Sequence, residues 1–309
     1  MPHSSTKRQQ YYFDQIFHCE MCGSPVADHT ILGQRLNQSQ GLNPKKAAGI
    51  SVSVMKCSNC NLIYSNPQPI PFNIQDHYGI PPEEYWNTQK FEWSADYFSE
   101  QIKKAKELIE FKPGMKALDC GAGLGKGMLS LQNAGFDTYG FEASIPFYER
   151  ALSQMKISPD RLLLGKLEEV DYEKDSFDFI NFGAVLEHFY HPSDCIKRAM
   201  SWLKPGGVLH IEVPSSNHFI AKLLNSYYKI RGTNYVTHLS PMHSPFHLYE
   251  FDIKSFTENA KLTKQYTIAY QHYMVGTIFH GPRFIQPLLK KYMELTDKGL
   301  QLVVWLRKN

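Results

Sequence analysis

The residue types able to do chemistry fall into three groups along this chain. The first is a set of four cysteines. Cys19-Glu20-Met21-Cys22 and Cys57-Ser58-Asn59-Cys60 are paired C-x-x-C knuckles, a spacing at which two thiolates of one turn converge on one tetrahedral ion. Two knuckles read as a zinc ribbon. Cys19, Cys22, Cys57 and Cys60 would fill all four positions, so the metal is expected to hold the fold and leave no open coordination site. A redox C-x-x-C stands alone beside a βαβ pattern, and a disulfide framework belongs to a secreted context; neither fits here. The segment between the knuckles is longer than usual for a ribbon and rich in Gln, Asn, Gly and Lys, so a bulged loop is expected over residues 28–49. Cys120 and Cys195 read as packing residues.

The second group is a glycine-rich turn flanked by acids. Asp119-Cys120-Gly121-Ala122-Gly123-Leu124-Gly125 ends an apolar run, and Glu142 follows a second one. Glycines there let backbone approach a ligand closely, and Glu142 stands where nucleotide folds place an acid to accept hydrogen bonds from ribose hydroxyls. A dinucleotide fingerprint needs G-x-G-x-x-G with pyrophosphate on the helix N-terminus. Here the spacing is G-x-G-x-G, with Lys126 in place of the third dinucleotide glycine.

The third group is imidazole-rich. Glu187-His188 follows an apolar run, and His238, His243 and His247 share a later segment with Pro241 and Pro245. Histidine has its unperturbed pKa near working pH. His188 is therefore the leading candidate for a proton acceptor, with Glu187 orienting it, and His247, His243 and Tyr85 follow.

The elements that must position these groups can be read from periodicity. Strands are expected over residues 116–120, 136–141, 161–164, 177–182, 208–213, 265–273 and 301–306. Helical spacing marks 99–111, 126–133, the run from Phe147 to Met155, 214–228, 251–261 with Asp252 as N-cap, and 284–295. Ala134-Gly135 supplies a helix stop. Asn66-Pro67-Gln68-Pro69-Ile70-Pro71 reads as an extended linker. The aromatics Tyr78, Tyr85, Trp86, Phe91, Trp93, Tyr97 and Phe98 then form either packing or a lid. The expected organisation is a zinc-ribbon domain over 1–70, an aromatic linker or lid over 71–98, and a third domain over 99–309 with an insertion at 214–250.

The Asp119 to Gly125 motif with Glu142 resembles the binding motif of class I S-adenosylmethionine-dependent methyltransferases. Phe177 to Phe182 resembles their fourth strand, Val185-Leu186-Glu187-His188 the loop after it, and Leu203-Lys204-Pro205-Gly206-Gly207 the turn into their fifth. The resemblance implies a doubly wound, seven-stranded, mostly parallel α/β sheet with one antiparallel strand near its edge. It implies S-adenosyl-L-methionine as cofactor, its ribose at Glu142, its amino-acid end at Asp119, Gly121 and Gly123, and the helix start at Gly125 facing the carboxylate. Leu167 and Glu168 become adenine contacts, and the 214–250 insertion shapes the acceptor pocket. With the zinc unit and the Tyr-Trp segment, the whole chain resembles the zinc-carrying branch that includes sugar C-methyltransferases. Ubiquinone-pathway O-methyltransferases carry a glutamate three residues before the Glu-His pair and hold a metal there. This chain has Ala184 at that place.

Composition narrows the classes further. A chain of 309 residues with 42% hydrophobic and 20% charged residues is globular. A net charge of +3, with no basic cluster between the knuckles, gives no footprint for nucleic acid. No run reaches the length of a membrane span and residues 1–10 lack an apolar core, so a cytoplasmic protein is expected. A small-molecule acceptor is expected as partner, a sugar or sugar nucleotide, with a quinone or other aromatic as the alternative. An NAD(P)-dependent oxidoreductase and a zinc-ribbon module binding nucleic acid or protein are the readings of other classes.

Overall fold

A computed structural model of the chain describes residues 10–36, 50–85, 91–276 and 284–309. Seven strands form the main sheet: β1 (Lys116–Cys120), β2 (Asp137–Glu142), β3 (Leu162–Leu164), β4 (Phe177–Gly183), β5 (Leu203–Pro214), β6 (Tyr266–Met274) and β7 (Gln301–Lys308). Their spatial order is β6-β7-β5-β4-β1-β2-β3. β7 runs antiparallel to both its neighbours, and the other pairs are parallel. β4 is buried along nearly its whole length, as a central strand covered on both faces must be. β5 begins earlier than its apolar run, because Leu203 already pairs with Phe177. The register then breaks until Val208, across Pro205-Gly206-Gly207.

Helices cover the sheet: α1 (Ser99–Leu108), α2 (Lys126–Asn133), α3 (Ile145–Ser153), α4 (Pro192–Trp202), α5 (Phe219–Ile230), α6 (Ile253–Thr263) and α7 (Gln286–Leu295). Asp252 caps α6 as expected, in a capping box with Ser255. The order of strands reverses between β1 and β4, and this opens a crevice beyond their carboxyl ends. Gly121, Gly123, Glu142, Glu187 and His188 therefore meet in one hollow.

The N-terminal part departs from expectation twice. Thr30–Leu36 is a strand paired antiparallel with Ser51–Lys56, so the expected loop from residue 28 starts later; residues 37–49 lie outside the described residues. Gln68–Pro71 is likewise a strand and not a bare linker, paired with Tyr11–Asp14. A two-stranded ribbon tolerates Pro69 and Pro71 because an edge position asks little of their missing N–H groups. The sheet of Thr30–Leu36, Ser51–Lys56 and Ile63–Asn66 gains its fourth strand from far along the chain, Tyr249–Glu250. Two buried side chains of α6 fasten it further. Ser255 Oγ donates to Cys60 O at 2.9 Å, and Asn259 Nδ2 donates to Met21 O at 2.8 Å.

Candidate active site and thiolate cluster

A cavity of about 1390 Å³ occupies the crevice, larger than the usual ~300–1,000 Å³ of a single-ligand pocket. One half is built on the glycine turn. Gly121, Gly123 and Gly125 have φ of 66°, 56° and 78°, a left-handed run that only glycine adopts without strain. The turn is clamped by Glu142: Gly123 N–H donates to Oε2 at 2.7 Å and Ser144 N–H to Oε1 at 2.8 Å. Asp119 sits at the foot of the turn, 4% exposed, accepting from Asn181 Nδ2 at 2.7 Å. His210, fully buried, lies 2.7 Å from Asn181 Oδ1 and completes a relay behind the carboxylate. Gly127 leaves room for it, since a Cβ there would stand 2.6 Å from Asp119 Oδ2.

Electrostatics define the ligand's sign. Burial pushes Asp119 up to about 6 and raises Glu142 and Glu212, and all three line the cavity. Buried carboxylates raised in this way favour a ligand that brings positive charge. A sulfonium and an ammonium answer that demand.

The other half holds the Glu187-His188 pair. Glu187 is 1% exposed, and its Oε1 lies 3.6 Å from His247 Nε2 and 3.9 Å from His188 Nε2. The three ligand atoms lie within 4.8 Å of one another, close enough to hold a cation. His188 Nδ1 faces Phe246 O at 3.2 Å, which leaves Nε2 as the lone-pair nitrogen. Burial pushes Glu187 up to about 8 and His188 down to about 4, against the pull of the Phe246 and Ala184 carbonyls. The unperturbed pKa expected of His188 is therefore corrected: enclosure by Tyr78, Phe246 and His247 keeps the ring neutral at pH 7. His247 is lowered to about 3 for the same reason, yet it is the more exposed of the two, 27% against 15%.

The four cysteines meet as expected. Cys19 Sγ and Cys60 Sγ are 3.5 Å apart and Cys22 Sγ and Cys57 Sγ 3.6 Å, near the ~3.8 Å edge of a tetrahedron with 2.3 Å metal–sulfur bonds. None of the six cysteines is in a disulfide. Cys120 and Cys195 are buried, in line with packing roles.

Of the other candidates, His243, Leu167 and Glu168 line the cavity, but Gly125 does not; its φ serves the entry to α2 and a Cβ there would press on Ile157. His238 turns away to pair with Glu250. Tyr85 ends a short helix, Pro82–Tyr85; its side chain, like Trp86, lies outside the described residues. Of the aromatic segment, Tyr78, Tyr97 and Phe98 face the cavity. Trp93 instead donates to Ser130 Oγ at 2.9 Å on α2, away from it. Sequence reasoning missed Asn181, Glu212 and Arg35. The first two sit at the carboxyl ends of β4 and β5, where position alone could have marked them. Arg35 carried no such signal.

A seven-stranded sheet with only β7 reversed, a left-handed glycine turn after β1 and an acid closing β2 define a class I S-adenosylmethionine-dependent methyltransferase. The model of the methyltransferase domain family matches residues 94–263, more than half of the sequence, and the chain belongs to that family. It is 30% identical over 159 residues to the polyketide synthase component of lovastatin nonaketide synthase from Aspergillus terreus, covering 48% of this chain and 5% of that protein. It is 29% identical over 112 residues to phosphoethanolamine N-methyltransferase 3 of Arabidopsis thaliana, covering 35% and 23%. The chain thus matches only a minor part of either relative's length. Among solved structures, an S-adenosylmethionine-dependent methyltransferase from Mesorhizobium loti aligns with a TM-score of 0.47 and 14% identity over 70% of this chain and 99% of that one. No helix among the described residues is long and apolar enough to cross a membrane.

Proposed function

We propose that this methyltransferase methylates a small, hydroxyl-rich acceptor, a sugar or sugar nucleotide, with His247 taking up the acceptor's proton. The observation that carries the reading is the continuity of the cavity. Beyond the acidic half that suits the cofactor, the same space runs on to Glu187, His188, His247, His243, Ser240 and Thr237. Such a wall offers hydrogen bonds to a polar ring and a base to its acidic proton. S-adenosylmethionine, when bound, supplies a methyl group on a sulfonium leaving group. The chain's part is to seat the ribose at Glu142, to set Asp119 against the amino-acid end, and to align the acceptor for in-line attack. His247, neutral at pH 7, accepts the proton at Nε2, and the buried Glu187 carboxyl beside it gives up its own proton as the imidazolium forms, which supplies the counter-charge. A screen of nucleotide sugars and free sugars with labelled cofactor tests the reading; label transfer confined to aromatic or quinone acceptors overturns it.

A second reading has its own observation. The convergence of Glu187, His188 and His247 on one point also suits a cation, as an O-methyltransferase of a quinone or other aromatic would use it. Metal analysis separates the two, zinc at the thiolate site alone against a second bound metal ion of any kind. For that thiolate site we infer a closed structural zinc held by Cys19, Cys22, Cys57 and Cys60. Six cysteines without a disulfide suit a reducing, cytoplasmic compartment.

A further inference from the structure

Arg35 is a buried cation in search of an anion. It stands in the strand Thr30–Leu36, whose edge is seated on the insertion after β5: Gln34 N–H donates to Asn234 O at 2.7 Å and Val236 N–H to Gln34 O at 3.0 Å. Gly33 permits the close approach, because a Cβ there would stand 2.3 Å from Asn234 O. This seating carries the Arg35 side chain to the cavity wall, where it is only 3% exposed. Its Nη1 donates to Tyr235 Oη, and its Nη2 lies 3.3 Å from His243 Nε2. Its Nε has no partner, and neither has His243 Nδ1 or His218 Nε2, both on residues that line the same cavity.

No carboxylate among the described residues forms an ion pair with this guanidinium. Glu250, which lines the same cavity and acts on Arg35 through the field without touching it, is committed to His238 Nδ1 at 2.5 Å and to Leu239 N–H at 3.0 Å. A buried guanidinium that no carboxylate touches, and that Glu250 offsets only from a distance, is costly and is kept where something repays it. We propose that Arg35, with His243 and His218, receives an oxyanion of the acceptor, a phosphate or a carboxylate. The inference rests on reading this half of the cavity as the acceptor chamber. It divides the cavity by sign, with carboxylates around the cofactor and a forked cation for the acceptor, a geometry to which arginine is suited.

The test uses the full chain saturated with S-adenosylhomocysteine. Phosphate, pyrophosphate and malonate are titrated separately by calorimetry against chloride at matched ionic strength. Wild type should bind at least one of them, and Arg35→Met should bind it at least tenfold more weakly while keeping its affinity for S-adenosylhomocysteine within twofold. Preference for the phosphates or for malonate identifies the acceptor's anion. Arg35→Met should also melt no lower than wild type without anions, since a methionine of similar reach removes an unpaired charge. Should that variant fail to fold, Arg35→Lys keeps the charge but not the fork and should bind the same anion with reduced affinity. Absence of anion binding in wild type, or equal binding in the variants, overturns the proposal. Loss of S-adenosylhomocysteine binding in wild type would instead strike the methyltransferase reading, while Arg35-dependent anion binding could still stand.

Discussion

Replacing Glu142 by glutamine tests the cofactor half of the site with the least disturbance of shape. The carboxylate serves twice: it accepts the N–H groups of Gly123 and Ser144 at 2.7 and 2.8 Å, and it presents its remaining lone pairs to the cavity. Glutamine can satisfy one N–H through its carbonyl oxygen, but its amide then points a donor at the other. The loss is close to one hydrogen bond to a charged group, about 1.5–3 kcal/mol of folding stability. The ribose diol loses a charged acceptor as well, a similar amount, which corresponds to a roughly 10- to 150-fold weaker affinity. Urea unfolding of the unliganded protein reads the first effect, and calorimetric titration with S-adenosylhomocysteine reads the second. Binding within threefold of wild type, alongside the stability loss, would refute the ribose contact and leave Glu142 as a clamp of the turn.

Fresh protein should carry one equivalent of zinc at the thiolate cluster, and Cys22→Ser should lower its melting temperature and release metal; unchanged melting would dismiss the structural ion. His247→Asn should cut turnover by about 100- to 10,000-fold with cofactor affinity preserved, His188→Asn serving as comparison; wild-type turnover in the His247 variant would move the base elsewhere. Asp119, raised to about 6 by burial, makes a pH prediction of definite sign. Its neutral form is favoured in the unliganded fold, so that stabilisation is full below the unfolded pKa and is lost as pH rises through about 6. Cofactor binding wants the carboxylate, so affinity for S-adenosylmethionine should fall roughly tenfold per pH unit below 6. A flat affinity profile between pH 5 and 7 would rule Asp119 out as the partner of the amino-acid end.

The elements legible in the sequence were those whose pattern is local. α2 runs from Lys126 to Asn133 as its periodicity and the Ala134-Gly135 stop require, and Asp252 caps α6. The turn, Glu142 and the knuckles were visible because their chemistry depends on spacing within a few residues. What was hidden depends on contacts far apart. Nothing near Gln68 announces a partner at Tyr11, and nothing near Arg35 announces Tyr235 or His243. The same holds for His188, whose pKa is lowered by enclosure that only the folded chain creates, against the pull of the Phe246 carbonyl. Trp93 was ambiguous for a related reason: packing and a lid were both open in sequence, and the folded chain turns it to Ser130.

The pairing of Ile63–Asn66 with Tyr249–Glu250 has a consequence for the birth of the molecule. A chain made from its N-terminus presents residues 63–66 to the outside long before residues 249–250 leave the ribosome. At ~5–20 residues per second the interval is roughly ten to forty seconds. Through that time the early sheet has an unpaired edge, the kind of surface on which strands of other chains pair and aggregate. Ser255 and Asn259, which later fasten Cys60 and Met21, arrive later still. Besides the pairings already complete within residues 11–71, ion capture by the four thiols would stabilise this region while it waits, so on the zinc reading the timing of metal supply during translation bears on yield.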